Sequence, residues 1–120
     1  MVEIGKVVYK YLSDKGLKVY PIVAPIDTPL PFITYERSLQ QAVTKDGRSI
    51  NTVTFNIYVL SEDYKETLDI CALIDDTLQP IQGEQMGNYI QNTSLMSQDE
   101  IYESGIYIQK MVYTFKAEAR

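Results

Sequence analysis

The chain has no histidine, no tryptophan and a single cysteine, and none of its apolar runs approaches the roughly 20 residues that a membrane helix needs. Each absence removes a class of function. Without histidine, the commonest general base and metal ligand at neutral pH is missing, so acid-base chemistry would rest on carboxylates, lysine or tyrosine. Ser-His-Asp and Cys-His arrangements are excluded outright. The lone Cys71 has no internal disulfide partner, and its aliphatic neighbours Ile70, Leu73 and Ile74 predict a small core side chain. The N-terminus carries no basic region followed by an apolar core, so the chain reads as soluble and unexported. No phosphate loop or dinucleotide fingerprint is present, since Gly83 and Gly87 stand apart from any strand-to-helix junction.

What is present is an ordinary globular composition, 45% hydrophobic and 22% charged, in 120 residues that suit one α+β domain over residues 1–120. Tyrosine is the departure, with ten copies, and its apolar ring and polar tip suit half-wet strands and protein interfaces. The net charge of −5 argues against sequence-independent nucleic-acid binding, and no sequence-specific reader is visible. Charge is unevenly divided. Residues 1–60 hold seven Lys/Arg against five Asp/Glu, whereas residues 61–120 hold four against eleven. Two differently charged surfaces of this kind suit a contact between subunits.

The stretch from Thr52 to Leu78 organises the chain. Val53, Phe55, Ile57 and Val59 fall on one face of a period-2 pattern and Thr52, Thr54, Asn56 and Tyr58 on the other, predicting a half-buried central strand. Ser61-Glu62-Asp63 then offers helix-capping side chains, and Ile70, Leu73, Ile74 and Leu78, with Thr67 and Cys71, predict the apolar surface of a helix stopped by Pro80. Lys65, Glu66, Asp69, Asp75 and Asp76 form its polar stripe. Upstream, Ile4, Val7, Val8, Tyr11 and Leu12 predict an amphipathic helix over residues 2–15, with Gly16 as its left-handed cap.

Four prolines between Pro21 and Pro31 predict an extended connector, with room for a short edge strand at Val19–Val23. Phe32 to Leu39 alternates as a strand, and Asp46-Gly47 predicts a hairpin turn carrying Lys45 and Arg48 at its tip. After Pro80, residues 82–87 read as turn or loop and Ile90–Met96 as a weak strand, followed by Asp99–Gly105, in which Ser104-Gly105 offers a bulge or turn. Ile106–Ala117 reads as a second central strand that pairs with Thr52–Leu60. The expected architecture is two helices on a mostly antiparallel sheet of four or five strands, in the order α-β-β-(β)-α-β-β.

Two carboxylate groups invite a chemical reading: Asp75-Asp76, and Asp99, Glu100 and Glu103. Adjacent residues on a helix or strand diverge, so neither set converges by spacing alone, and a solvated acidic face is the plain reading beside a Mg²⁺ or Ca²⁺ site. No catalytic residue, metal or cofactor is assigned.

Taken in order, the amphipathic helix, the connector ending in Pro31-Phe-Ile-Thr-Tyr35, the long hairpin, the strand-to-helix unit from Val53, and Ile74-Asp-Asp-Thr-Leu78 resemble the small tail-completion, or tail-terminator, proteins of long-tailed bacteriophages. The resemblance implies a helix-flanked sheet and a homo-oligomeric ring, often hexameric, at the head-to-tail junction. It implies contact with tail-tube and connector proteins, assembly in host cytoplasm, a place in the virion tail or neck, and no enzymatic activity. Alternatives are another connector or minor tail protein on a similar fold, a carboxylate-based metal-dependent enzyme using Asp99, Glu100 and Glu103, and a monomeric binding domain. For a ring, Lys45 and Arg48 are the basic interface candidates. Asp75, Asp76, Asp99, Glu100 and Glu103 are their acidic counterparts.

Overall fold

A computed structural model describes residues 4–43, 49–85 and 88–119. Helix α1 covers Ile4–Asp14, and its buried residues Ile4, Val7, Val8 and Leu12 are the predicted stripe. It ends as expected at Gly16, where φ is +81°, and the Leu17 N–H reaches back to the Leu12 carbonyl. Next come β1 at Val19–Pro21, β2 at Phe32–Val43 and β3 at Ser49–Ser61. Helix α2 covers Tyr64–Leu78, then β4 at Gly83–Gln85, β5 at Asn88–Glu103 and β6 at Ile106–Ala119 complete the sheet.

The start of α2 follows its sequence closely. Asp63 is the N-cap, and its side chain accepts the Lys65 N–H at 3.1 Å. The Ser61 hydroxyl donates to Glu66 and accepts the Asp63 N–H, so two capping partners satisfy the first turn. Thr67, Cys71, Ile74, Thr77 and Leu78 form the buried face of α2. That face is rotated slightly from the expected one: Ile70 and Leu73 are only half-buried, while Thr77 turns inward and donates to the Leu73 carbonyl.

The strands form one sheet in the order β1-β2-β3-β6-β5-β4. Six strands replace the expected four or five. The extra ones are short: β1 pairs parallel with β2 over three residues, and β4, in the expected loop, pairs antiparallel with Ile90, Tyr89 and Asn88 of β5. The sheet is therefore mixed, because β1 enters from α1 and runs alongside β2. At its centre β3 and β6 pair antiparallel from Ile50↔Glu118 to Ser61↔Tyr107, as expected. Both helices lie over the face that carries Val53, Phe55, Ile57, Met111, Tyr113 and Phe115, all essentially fully buried. Phe55 sits edge-on to Phe115 with centroids 5.4 Å apart.

The largest departure is β5. The expected weak strand Ile90–Met96 continues through Glu103 as one sixteen-residue strand, interrupted only by bulges at Gln91 and Met96. Its turn is confined to Ser104-Gly105, with φ of +52° and +80°, the two-residue hairpin geometry that glycine favours. A strand of sixteen residues reaches about 50 Å, close to the molecule's longest extent of 52 Å. The β5–β6 turn lies at one end of the sheet, level with Phe32 of β2 and Ser61 of β3. Val43 and Ser49 pair at the opposite end, and the segment between them, with Lys45 and Arg48, lies outside the described residues.

Candidate assembly surface

Strand alternation decides what the carboxylates of β5 can do together. Glu100 pairs with Gln109 and Tyr102 with Tyr107, so these four share the helix-side face; Asp99 and Glu103, opposite Lys110 and Ile106, point to the other. The three acids therefore diverge across the strand. Among the described residues no group of three or more His, Cys, Asp or Glu could hold a metal ion. Asp99, Glu100 and Glu103 are all exposed.

Glu100 is the member with neighbours. Its carboxylate accepts the Tyr64 hydroxyl from the first turn of α2 at 2.7 Å, and this bond raises the tyrosine's pKa above its ordinary value, with desolvation adding to it. Tyr107 packs between Tyr64 and Tyr102, at centroid distances of 5.4 and 4.7 Å. The three rings, Glu100, Ile101 and Gln109 line a notch of about 220 Å³ at the acidic end. Beneath it runs a polar chain: Gln98 donates to Gln109, buried Gln109 donates to Thr67, and Thr67 donates to the Tyr64 carbonyl. Tyr102 is 63% exposed and so is Met96 at the nearby bulge. An acidic end with uncovered tyrosine rings has the composition of a protein contact.

Asp75 and Asp76 part company. Asp75 turns toward the sheet and accepts the Tyr113 hydroxyl at 2.7 Å, while Asp76 is exposed. Burial, and then this bond, push the Tyr113 pKa well above its ordinary value. Cys71 lies in the core as expected, and burial raises its thiol to about 11. Lys45 and Arg48 lie outside the described residues.

Sequence reasoning missed the other edge of the sheet. The connector after β1 exposes Ile22, Val23 and Ile26, at 76%, 73% and 93%. Ile22 has φ of +65°, a strained conformation for a β-branched residue. Its N–H donates to the Tyr35 carbonyl, and there the chain turns away from β2. Beside that turn lies a cavity of about 550 Å³ lined by Gly5, Lys6, Pro21, Ile22, Tyr35, Glu36 and Arg37. Proline density forecast an extended connector but carried no signal that its aliphatic residues would face outward. On the sheet face away from the helices, Glu36 accepts from both Asn56 and Tyr58, and the Lys110 ammonium lies 6.0 Å from the centre of the Tyr58 ring. Among the described residues, no helix is long and apolar enough to cross a membrane.

No family model matches the chain, and no curated protein matches it in sequence. Among solved structures, it is similar to a chain of the "Virion of native gene transfer agent (GTA) particle", with a TM-score of 0.74 over 93% of this chain and 92% of that one. Sequence identity is 16%, so the likeness is one of fold.

Proposed function

We propose that this protein is a structural subunit of a phage or phage-like particle, acting as a tail-terminator or neck component that assembles into a ring between tail and head. The observation that carries this reading is the end-to-end fold likeness to a virion chain, with neither chain left substantially unmatched. The same fold order was the basis of the sequence resemblance to tail-completion proteins. No catalytic role is proposed. Partners in this reading are further copies of the chain, tail-tube subunits and head-connector subunits.

A ring needs two different patches of one subunit to meet around an axis. The acidic patch is the β5–β6 end with Asp99, Glu100 and Glu103; Asp76 lies apart from it, near the far end of α2. The basic patch comes from the first half of the chain, including Lys45 and Arg48. Exposed ion pairs contribute roughly 0.2–1 kcal/mol each and weaken with salt, so they set register while tyrosine and aliphatic contacts supply most of the affinity. Sedimentation velocity at low salt, with the protein concentrated alone or mixed with tail tubes, tests this. The wild type should form a discrete oligomer that weakens with added salt. Lys45→Glu/Arg48→Glu and Asp99→Lys/Glu103→Lys should each impair it. A wild type that stays monomeric under both conditions would overturn the ring.

A further inference from the structure

The sheet has two open edges at opposite ends and on opposite sides. Strand β1 covers β2 only at Ile33–Tyr35, so Arg37–Val43 have β3 on one side and no strand on the other among the described residues. Strand β4 covers β5 only at Asn88–Ile90, which leaves Ser97–Glu103 open beyond the second bulge. Each open stretch is seven residues of regular ladder without proline. Open edges of this length are templates for pairing unless they are blunted.

Backbone phase shows that the two edges fit one another. Ile33 donates to Lys18 and Tyr35 accepts from Ile22, so Ile33 and Tyr35 face outward from β3. By alternation Arg37 and Leu39 do the same. On β5, the two-residue turn at Ser104-Gly105 makes Glu103↔Ile106 a bonded pair, which leaves Gln98, Glu100 and Tyr102 facing outward. Arg37 and Leu39 lie opposite Phe55 and Val53, and Glu100 and Tyr102 lie opposite Gln109 and Tyr107, so all four side chains are on the helix-side face. Because β2 and β5 run in opposite directions within the sheet, an unflipped neighbour presents its β5 antiparallel to β2.

We propose that the β5 edge of one copy pairs antiparallel with the β2 edge of the next, with Tyr102 beside Arg37 and Glu100 beside Leu39, making one sheet continuous through the assembly. This rests on the ring reading and specifies its interface. In that register the tip of the incoming hairpin stops where Ile22 leaves the edge, and enters the 550 Å³ cavity beside Lys6. The strained turn at Ile22 ends β1, so β1 does not continue along β2 past Tyr35. Edge pairing that closes gives a ring, whereas pairing that fails to close gives filaments.

Two kinds of variant test the proposal. Ser38 and Ile101 form the adjacent non-bonded pair of the proposed ladder, where Cα atoms approach to about 4.5 Å, within disulfide reach. Ser38→Cys and Ile101→Cys proteins, mixed at an assembling concentration and oxidised, should give a cross-linked dimer that neither gives alone; buried Cys71 supplies a quiet background. Leu39→Pro and Glu100→Pro remove outward N–H groups and spare the ladder bonds to β3 and β6; Glu100→Pro also removes the acceptor of the exposed Tyr64 hydroxyl, and both monomers should keep the native circular dichroism spectrum. Half-assembly should then require at least about tenfold more protein. If the wild type assembles but the cysteines do not cross-link and the prolines leave assembly unchanged, edge pairing is overturned while the ring stands. If the wild type does not assemble, both fall.

Discussion

Val53–Val59 of β3 and Ser97–Glu103 of β5 are seven-residue stretches of antiparallel ladder in the same sheet, and their surroundings are opposite. In β3, Val53, Phe55, Ile57 and Val59 are at most 1% exposed, held between two strands and beneath the helices. In β5 all seven side chains are exposed and one edge is open among the described residues, with α2 reaching this stretch through Tyr64, which donates to Glu100. Backbone pairing is shared; side-chain burial is not. The first region supplies the stability of the fold, and the second is held in shape by its hairpin to β6 and left available to something outside the molecule.

Truncating the buried member of the pair should have the largest effect. Phe55→Ala should destabilise the fold by about 3–5 kcal/mol through lost burial and a residual cavity, and Ile101→Ala by less than about 0.5 kcal/mol. Denaturant unfolding of both variants checks the contrast, and equal losses would break it.

Alkaline pH probes the buried side through Cys71 and Tyr113. Folding holds the Cys71 proton to about 11 against an ordinary 9.0. The resulting stability is complete below pH 9 and is lost as pH rises toward 11, up to about 2–3 kcal/mol. Tyr113, raised by burial and by Asp75, adds to the loss above its ordinary 10.0. Cys71→Ala should flatten the decline between pH 9 and 10, measured by unfolding at each pH. Tyr113→Phe, which removes the bond to Asp75, should cost about 1 kcal/mol at neutral pH.

Smallest, and opposite in sign, is the effect expected at the connector. Ile22→Asn replaces an exposed β-branched residue at positive φ by one that tolerates it, and should stabilise the monomer by about 0.5–1 kcal/mol. In the edge-pairing account it should also weaken assembly, since an aliphatic side chain beside the cavity is lost.

The same contrast explains what the sequence revealed. Strand β3 and helix α2 were legible nearly to the residue because a buried face imposes a period, and because Asp63, Gly16 and Pro80 mark ends by their own chemistry. Ser-Gln-Asp-Glu-Ile-Tyr-Glu, from Ser97 to Glu103, has no alternation, since no face of it is buried, and so it gave no strand signal, although Ser104-Gly105 after it marked the turn. The three-residue strands β1 and β4 are too short to show a period at all. Among the candidate interface residues, Asp75 looked like a surface acid by helix spacing. Only the register that brings Tyr113 beneath α2 shows why it turns inward. Glu100 separates from Asp99 and Glu103 only once β5 is known to be a strand.

Amide hydrogen exchange on dilute monomer and on concentrated, assembled protein tests most directly whether one region folds the molecule and the other joins it. The account predicts slow exchange from Val53 to Val59 in both states. The amides of Leu39, Gln98, Glu100 and Tyr102 should exchange fast in the monomer and slowly in the assembly. If those four amides exchange at the same rate in both states, or are already slow in the dilute monomer, the division of labour between the two regions is contradicted.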